Sequence, residues 1–256
     1  MTFTVASYNI LATAYIRKKF YPRTPDDVLA PTARIPALVR HVAQLDADIM
    51  CLQEVEGETF TALQAGLSTH SGHFARKDGD RPDGCATFVR TGIATSGSVE
   101  RLNYADGSGA EPASGHVALI VRVAQAGRVL GIANTHLKWS PPDTARTDHR
   151  GVRQVEQLLS VLDALPACDA WIICGDLNVE PDSEVIATLR RAGFRSTYDD
   201  PEAYTCNPNG SAKVIDYLCH DGGLRSFPHK LPAIDDRTVL PSREQPSDHL
   251  AIMASF

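Results

Sequence analysis

Apolar, β-prone runs recur along the whole chain, at positions 3–8, 48–52, 86–89, 117–123, 129–133, 171–174, 214–218 and 250–253. Several are nearly continuous in hydrophobicity. A strand with one wet face alternates apolar and polar residues, whereas a strand covered on both faces does not. Between these runs lie helical stripes. Ile35, Leu38, Val39, Val42 and Leu45 form the first, with Thr32 as its expected cap and Pro36 in its first turn. Val152, Val155, Leu158, Leu159 and Leu162 form the second, and a third helix is expected after Pro181 with Asp182 or Ser183 as cap. No internal repeat, linker or low-complexity block interrupts them. The expectation is one α/β domain over residues 1–256, with two packed sheets and helices outside.

Composition removes several alternatives. No apolar run approaches the roughly 20 residues needed to cross a bilayer, so no membrane contact is expected. Residues 1–5 lack a basic segment followed by an apolar one, which predicts no secretory signal and a cytoplasmic location. The six cysteines, Cys51, Cys85, Cys168, Cys174, Cys206 and Cys219, form no C-x-x-C pair. Reduced core thiols are expected rather than disulfides or a zinc site. The net charge of −6 argues against a basic stripe gripping long nucleic acid and favours a short or small substrate.

The chemistry-bearing residues sit at the ends of the apolar runs, where a rigid scaffold presents functional groups. They are Ser7-Tyr8-Asn9, Gln53-Glu54, Asn134-Thr135-His136, Gly175-Asp176-Leu177-Asn178, Asp216-Tyr217 and Ser247-Asp248-His249. Taken singly, Glu54 reads as a solvated strand end, Asp176 as a turn or cap, and His136 as a structural histidine. Taken together, they supply every role that in-line attack on a phosphoester requires. Mg²⁺ or Mn²⁺ takes oxygen ligands, and Glu54 and Asp248 offer them. Asp176 is the candidate base for water, and Asn178 can donate an amide proton to that water or to a phosphoryl oxygen. His249 can stabilise phosphorane charge if a carboxylate holds its other nitrogen, and Asp216 suits that task. His136 and Asn9 add donors toward phosphate.

These motifs resemble the endonuclease/exonuclease/phosphatase superfamily, in its order and across nearly the whole chain. The resemblance implies a four-layer αββα sandwich of two mixed β-sheets flanked by helices, with the site at one end of the sheets. It implies the same roles for Glu54, Asp176, Asn178, Asp216 and His249, with Asp248 as an alternative metal ligand or a support behind it, and Asn9 and His136 as phosphate contacts. Asp83-Gly84-Cys85-Ala86-Thr87-Phe88, His136-Leu137-Lys138-Trp139, Asp216-Tyr217-Leu218 and Pro246-Ser247-Asp248-His249 are similar to the CCR4-type branch. That branch includes deadenylases, nocturnin-like NADP(H) 2′-phosphatases and Angel-like 2′,3′-cyclic phosphatases. The implied substrate is a short RNA or nucleotide, most simply the 3′ end of an oligoribonucleotide, with the nucleotide phosphatase as alternative. No obligate protein partner is implied.

Arg81 stands where the branch often has lysine, and a guanidinium there could clamp a phosphate bidentately. Lys138, beside His136, is a second expected substrate contact. The stretch from Tyr15 to Arg23 is the most basic and aromatic in the chain and suits base stacking or, equally, loop anchoring. Residues 78–83 resemble a calcium loop only superficially and read as a turn. Arg146, Asp148, His149, Arg150 and Arg153 are expected on the solvated face of the second helix. A DNA-repair nuclease lacks its basic face here, a lipid phosphodiesterase its amphipathic stretch, and an inactive binding module would have lost one of the catalytic residues.

Overall fold

The computed structural model of the chain describes residues 2–95, 99–109, 111–125, 127–141, 143–198, 200 and 202–256. Its first sheet contains β1 (Thr4–Asn9), β2 (Ile49–Glu56), β3 (His70–Arg76), β4 (Asp83–Arg90) and, late in the chain, β12 (Phe227–Pro228) and β13 (Ile252–Ser255). The second contains β5 (Ala94–Thr95), β6 (Glu100–Asn103), β7 (Val117–Gln125), β8 (Arg128–Thr135), β9 (Ala170–Asp176), β10 (Arg195–Ser196) and β11 (Asp216–His220). The strand orders are β12-β13-β1-β2-β4-β3 and β10-β11-β9-β8-β7-β5, with β6 also on β7. Each sheet is mixed: β1 runs parallel to β2 and β8 parallel to β9, and the other pairs are antiparallel.

Side-chain alternation decides the layers. Val5, Ile49, Cys51, Cys85, Val121, Ile132, Ile172, Cys174, Leu218 and Ile252 meet between the sheets. Their neighbours in sequence face outward. Ala6, Tyr8, Met50, Leu52 and Phe88 pack under Leu38 and Val42 of α2 (Pro31–Gln44), which follows the one-turn α1 (Asp26–Leu29), and under Leu63 of α3 (Gly57–Gly66). Ala118, Ile120, Ala133 and Ile173 pack under Val152, Val155, Leu158 and Leu162 of α4 (Arg150–Ala164) and Val185, Ile186 and Leu189 of α5 (Glu184–Arg191). The result is the four-layer αββα sandwich, and burial on both faces explains the continuous apolar runs. Among the described residues no helix is long and apolar enough to cross a membrane.

Several local expectations need correction. The first long helix begins at Pro31, after Ala30, with no side-chain cap; Thr32 is inside it and exposed. Proline suits the first helical position because the amide it lacks has no intrahelical partner there. Pro36 consequently falls in the second turn. The third helix does begin at its expected cap, Ser183 accepting from the Ile186 amide. His149 is buried and caps α4 by accepting from the Val152 amide, so it leaves the solvated face assigned to it. Arg150 reaches Glu111 and the Pro112 carbonyl, while Arg153 bonds the Thr147 and Asp106 carbonyls. The six cysteines are thiols rather than disulfides, but Cys168 lies half-exposed in a loop outside the core.

Arg34 is buried although it is an arginine. It donates to the carbonyls of Ile10 and Pro246 and to Thr13, tying α2 to the loops after β1 and before His249.

Candidate active site

The ends of β1, β2, β8, β9 and β11 and the loop before β13 converge on one edge of the sandwich. Asn9 joins the two sheets there. Its Nδ2 donates to Glu54 Oε1 at 3.2 Å and to Asp176 Oδ2 at 2.9 Å, one amide hydrogen to each carboxylate. Asn9 Oδ1 accepts from the Leu11 amide at 3.0 Å, which fixes the orientation of the side-chain amide.

Glu54 sits where the β2–β4 register shifts, with φ of 57°. Left-handed backbone at a non-glycine residue away from Asn and Asp is uncommon and costs of order 1–3 kcal/mol. The shift turns the carboxylate toward the strand ends, where Oε2 accepts from the Ala12 amide at 2.9 Å. Burial raises the Glu54 pKa, opposed by Lys77 and the Ala12 amide and reinforced by the charges of Asp248 and Asp83. Such a carboxylate is short of positive charge, and its oxygen donors suit a hard cation. Asp248 is buried and accepts from the Tyr21 hydroxyl at 3.0 Å. Among the described residues no trio of carboxylates closes into a cage.

Gly175 sets up the next residue. A side chain here would run into the Thr135 carbonyl, so glycine lets the end of β9 close on the end of β8. Asp176 then lies 3.6 Å from His136 Nε2 and 3.8 Å from His249 Nε2. Its Oδ1 accepts from the Asn178 amide at 2.9 Å. Burial pushes the Asp176 carboxyl up to about 7, against the pull of His249 and with the push of Asp216. A base of that strength is matched to proton transfer near neutrality.

His249 Nδ1 lies 2.9 and 3.1 Å from the two oxygens of Asp216, whose Oδ2 also accepts from the Thr205 hydroxyl at 2.7 Å. Burial alone would lower the His249 pKa, but Asp216, Asp176 and Asp248 together hold it well above the usual histidine range. His136 behaves oppositely. Burial, Lys77 and His116 drive its pKa well below that range. Two donor groups also approach its ring, Asn178 Nδ2 at 2.9 Å from Nε2 and Lys77 Nζ at 3.3 Å from Nδ1, and the neutral ring accepts from only one of them. His136 is therefore neutral, and its contact with Asp176 is not an ion pair.

Asn178 sits beside the ring of His136. Its Nδ2 donates to the Leu137 carbonyl at 3.0 Å and lies 2.9 Å from His136 Nε2. The φ of 55° at Asn178 is one that asparagine tolerates better than most residues.

Lys77 and Asp83 escaped the sequence reading as a functional pair. They meet at 2.7 Å with side chains 1% and 0% exposed, and the Tyr15 hydroxyl donates to the other Asp83 oxygen. Nothing in local sequence marks a buried lysine; only the β3–β4 hairpin brings it opposite Asp83. Lys77→Ala is expected to destabilise the fold by about 3–5 kcal/mol, because it strands a buried carboxylate. Urea unfolding at pH 7 measures this, and a loss below about 1 kcal/mol would refute the pairing's importance.

Arg81 donates to the Ser114 carbonyl at 2.7 Å, and its charge, with those of Arg150 and Lys77, adds to burial in lowering the Lys138 pKa. Arg81, Lys138 and Arg150 thus lie close together on an acidic chain. Lys138, Arg150 and Arg153 also line a cavity of about 580 Å³ together with Trp139 and Pro141; Trp139 is 54% exposed. The basic aromatic segment is mostly anchored. Tyr15 and Tyr21 bond Asp83 and Asp248, and Arg23 bonds the Asp236 and Arg237 carbonyls. Phe20, with Lys19 over its ring, is exposed.

The profile of the Endonuclease/Exonuclease/phosphatase family matches residues 6–249. Protein angel of Drosophila melanogaster is 28% identical over 100% of this chain and 80% of its own length. Carbon catabolite repressor protein 4 homolog 4 of Arabidopsis thaliana is 26% identical over 99% of this chain and 77% of its own. The CCR4-Not complex 3′–5′-exoribonuclease subunit Ccr4 of Debaryomyces hansenii is 24% identical, and the chain spans only 39% of it. In fold, the chain matches ANGEL2, a 2′,3′-cyclic phosphatase, with a TM-score of 0.85 at 20% identity, covering 100% of this chain and 95% of that one. The human Nocturnin catalytic domain matches with a TM-score of 0.72 at 22% identity, covering 99% and 92%. The chain belongs to the endonuclease/exonuclease/phosphatase family, in its CCR4/nocturnin/Angel branch.

Proposed function

We propose that the chain hydrolyses phosphoesters of short ribonucleotides, with water as nucleophile and a divalent cation bound, acting first on the 3′ end of oligoribonucleotides. One observation carries the reading: Asn9 holds Glu54 and Asp176 together, and Asp176, with its carboxyl at about 7, lies within 3.8 Å of His249. Glu54, with Asp248 nearby, would hold Mg²⁺ or Mn²⁺, which supplies positive charge for the phosphoryl oxygens. Asp176 takes a proton from water as the water oxygen bonds to phosphorus, and the ester oxygen on the opposite side leaves. His249, kept protonated by Asp216, donates to an oxygen of the phosphorane. Asn178 and Lys77 fix the orientation of His136, while Arg81 and Lys138 hold the substrate's outer phosphate oxygens.

The cavity beside Lys138 supports a small substrate. Its volume of about 580 Å³ falls in the range of small-ligand sites, and Trp139 and Pro141 offer faces to a base. The same dimensions favour a second reading, a nucleotide phosphatase acting on NADP(H) or on a 2′,3′-cyclic end. The test is release of AMP or phosphate from oligo(A), NADP⁺ and a cyclic-phosphate oligoribonucleotide with Mg²⁺. Stepwise AMP from oligo(A) supports the first reading. Phosphate from either of the others, with oligo(A) intact, replaces it with the second. No release from any of the three refutes both.

A pH profile tests the roles separately. Asp176 must be ionised to act, so kcat/KM should rise as pH passes about 7. His249 must be protonated, so the rate should fall again above its raised pKa. A rate that is flat from about pH 5 to 9 with chemistry rate-limiting would remove both assignments.

A further inference from the structure

The absence of C-x-x-C spacing predicted cysteines without a metal role, yet one thiol reaches a ligand set. Cys206 Sγ, a carboxylate oxygen of Asp216 and a ring nitrogen of His249 lie within 4.8 Å of one another. All three side chains are buried. Their backbones are pinned together: Cys206 bridges both Lys213 and His249, and the Asn207 amide bonds the Asp248 carbonyl. Two of the three donors, the sulfur and the nitrogen, differ in kind from the oxygen donors around Glu54. A thiolate and an imidazole select borderline or soft ions, whereas Mg²⁺ prefers oxygen.

We propose that Cys206, Asp216 and His249 form an inhibitory site for a thiophilic divalent cation of the Zn²⁺ type. The fit is metrical. Zn–N and Zn–O bonds of about 2.0–2.2 Å at tetrahedral angles place nitrogen and oxygen roughly 3.3 Å apart. His249 Nδ1 now lies 2.9 and 3.1 Å from the Asp216 oxygens, so the pair needs to open by only a few tenths of an ångström. The ion replaces the proton on Nδ1 and the proton on Sγ, and both leave to solvent. Water completes the coordination. His249 then loses the N–H bond to Asp216 that holds its ring in place. Inhibition on this basis rests on the proposed role of His249, and raising Mg²⁺ cannot relieve it by competition because the ligands differ.

Co²⁺ is the probe, because its thiolate complexes absorb visibly and the readout needs no activity. One equivalent of Co²⁺ added to the reduced, metal-free protein should give a thiolate-to-cobalt charge-transfer band, bleached by one equivalent of Zn²⁺. Cys206→Ser and Cys206→Ala should abolish the band, and whichever is folded by circular dichroism serves. The concentration of Zn²⁺ that halves activity should rise at least about tenfold in the same variant, as expected when a metal-site group is removed. Cys168→Ser, at the half-exposed thiol, should change neither. A band that survives in the Cys206 variants, or disappears with Cys168→Ser, overturns the site. A Cys206-dependent band without Zn²⁺ inhibition overturns the inhibitory role and points at the catalytic assignment of His249 instead.

Discussion

Asp176→Asn should lower kcat by at least about a thousandfold and, at pH 8, make the protein more stable. The activity loss follows from removing the group proposed to accept the water proton. The stability gain follows from the same burial that tunes it. Asp176 ionises near 7 in the folded chain, against 3.8 for an ordinary aspartate. Between those values the folded state binds more protons than the unfolded state, so stability falls as pH rises through that window. Above about pH 7 the full cost of ionising a buried carboxylate is present. Asparagine carries no such cost, although it no longer offsets the charge on His249. We expect a net gain of about 1–2 kcal/mol at pH 8 and little at pH 4. Urea titrations at both pH values measure it. A variant that is inactive but less stable at pH 8 would show that Asp176 is held ionised by its neighbours rather than poised.

Glu54→Gln should be as damaging to activity through a different route. The amide can still accept from the Ala12 amide, so the fold should persist. Its NH₂ would then oppose Asn9 Nδ2, a donor against a donor, and the negative charge available to a cation would be lost. A fall of about 10³-fold in kcat/KM is expected, with partial recovery as Mg²⁺ or Mn²⁺ is raised. Rates followed across a wide range of Mg²⁺ distinguish this from simple misfolding, which added metal would not repair. Activity within about threefold of the wild-type chain would remove Glu54 from the cation site.

How far the sequence could be read depended on burial. Strands such as residues 117–123 and 171–174 were legible because both faces are covered, which leaves little but apolar residues. His70–Arg76 was not, since its partly exposed Ser-Gly-His stretch lies at the edge of its sheet and carries no period. The α3 helix was missed because Gly57-Glu58-Thr59 gives no clear start. Within the site, Asn9, Glu54, Asp176, Asp216, Asp248 and His249 were visible as polar groups ending apolar runs. Lys77 was not, because its neutralising partner, six residues away, becomes its neighbour only when the hairpin forms. Cys206 was equally hidden, since its relation to Asp216 and His249 depends on an isolated bridge between distant segments. The orientation of Asn178 lay beyond any sequence rule, since the Leu137 carbonyl and the His136 ring decide it.

The amide of Asn9 is a gauge of alignment between the halves of the molecule. One carboxylate it holds rides on the first sheet and the other on the second. A slide of one layer over the other by an ångström would leave both hydrophobic faces covered, and bulk spectroscopy would register little. It would nevertheless part Asp176, the proposed base, from Glu54, the proposed cation ligand. Mild denaturant or pressure should therefore silence the enzyme before the fold gives way, and the gap between the two midpoints reads how stiffly the layers are coupled.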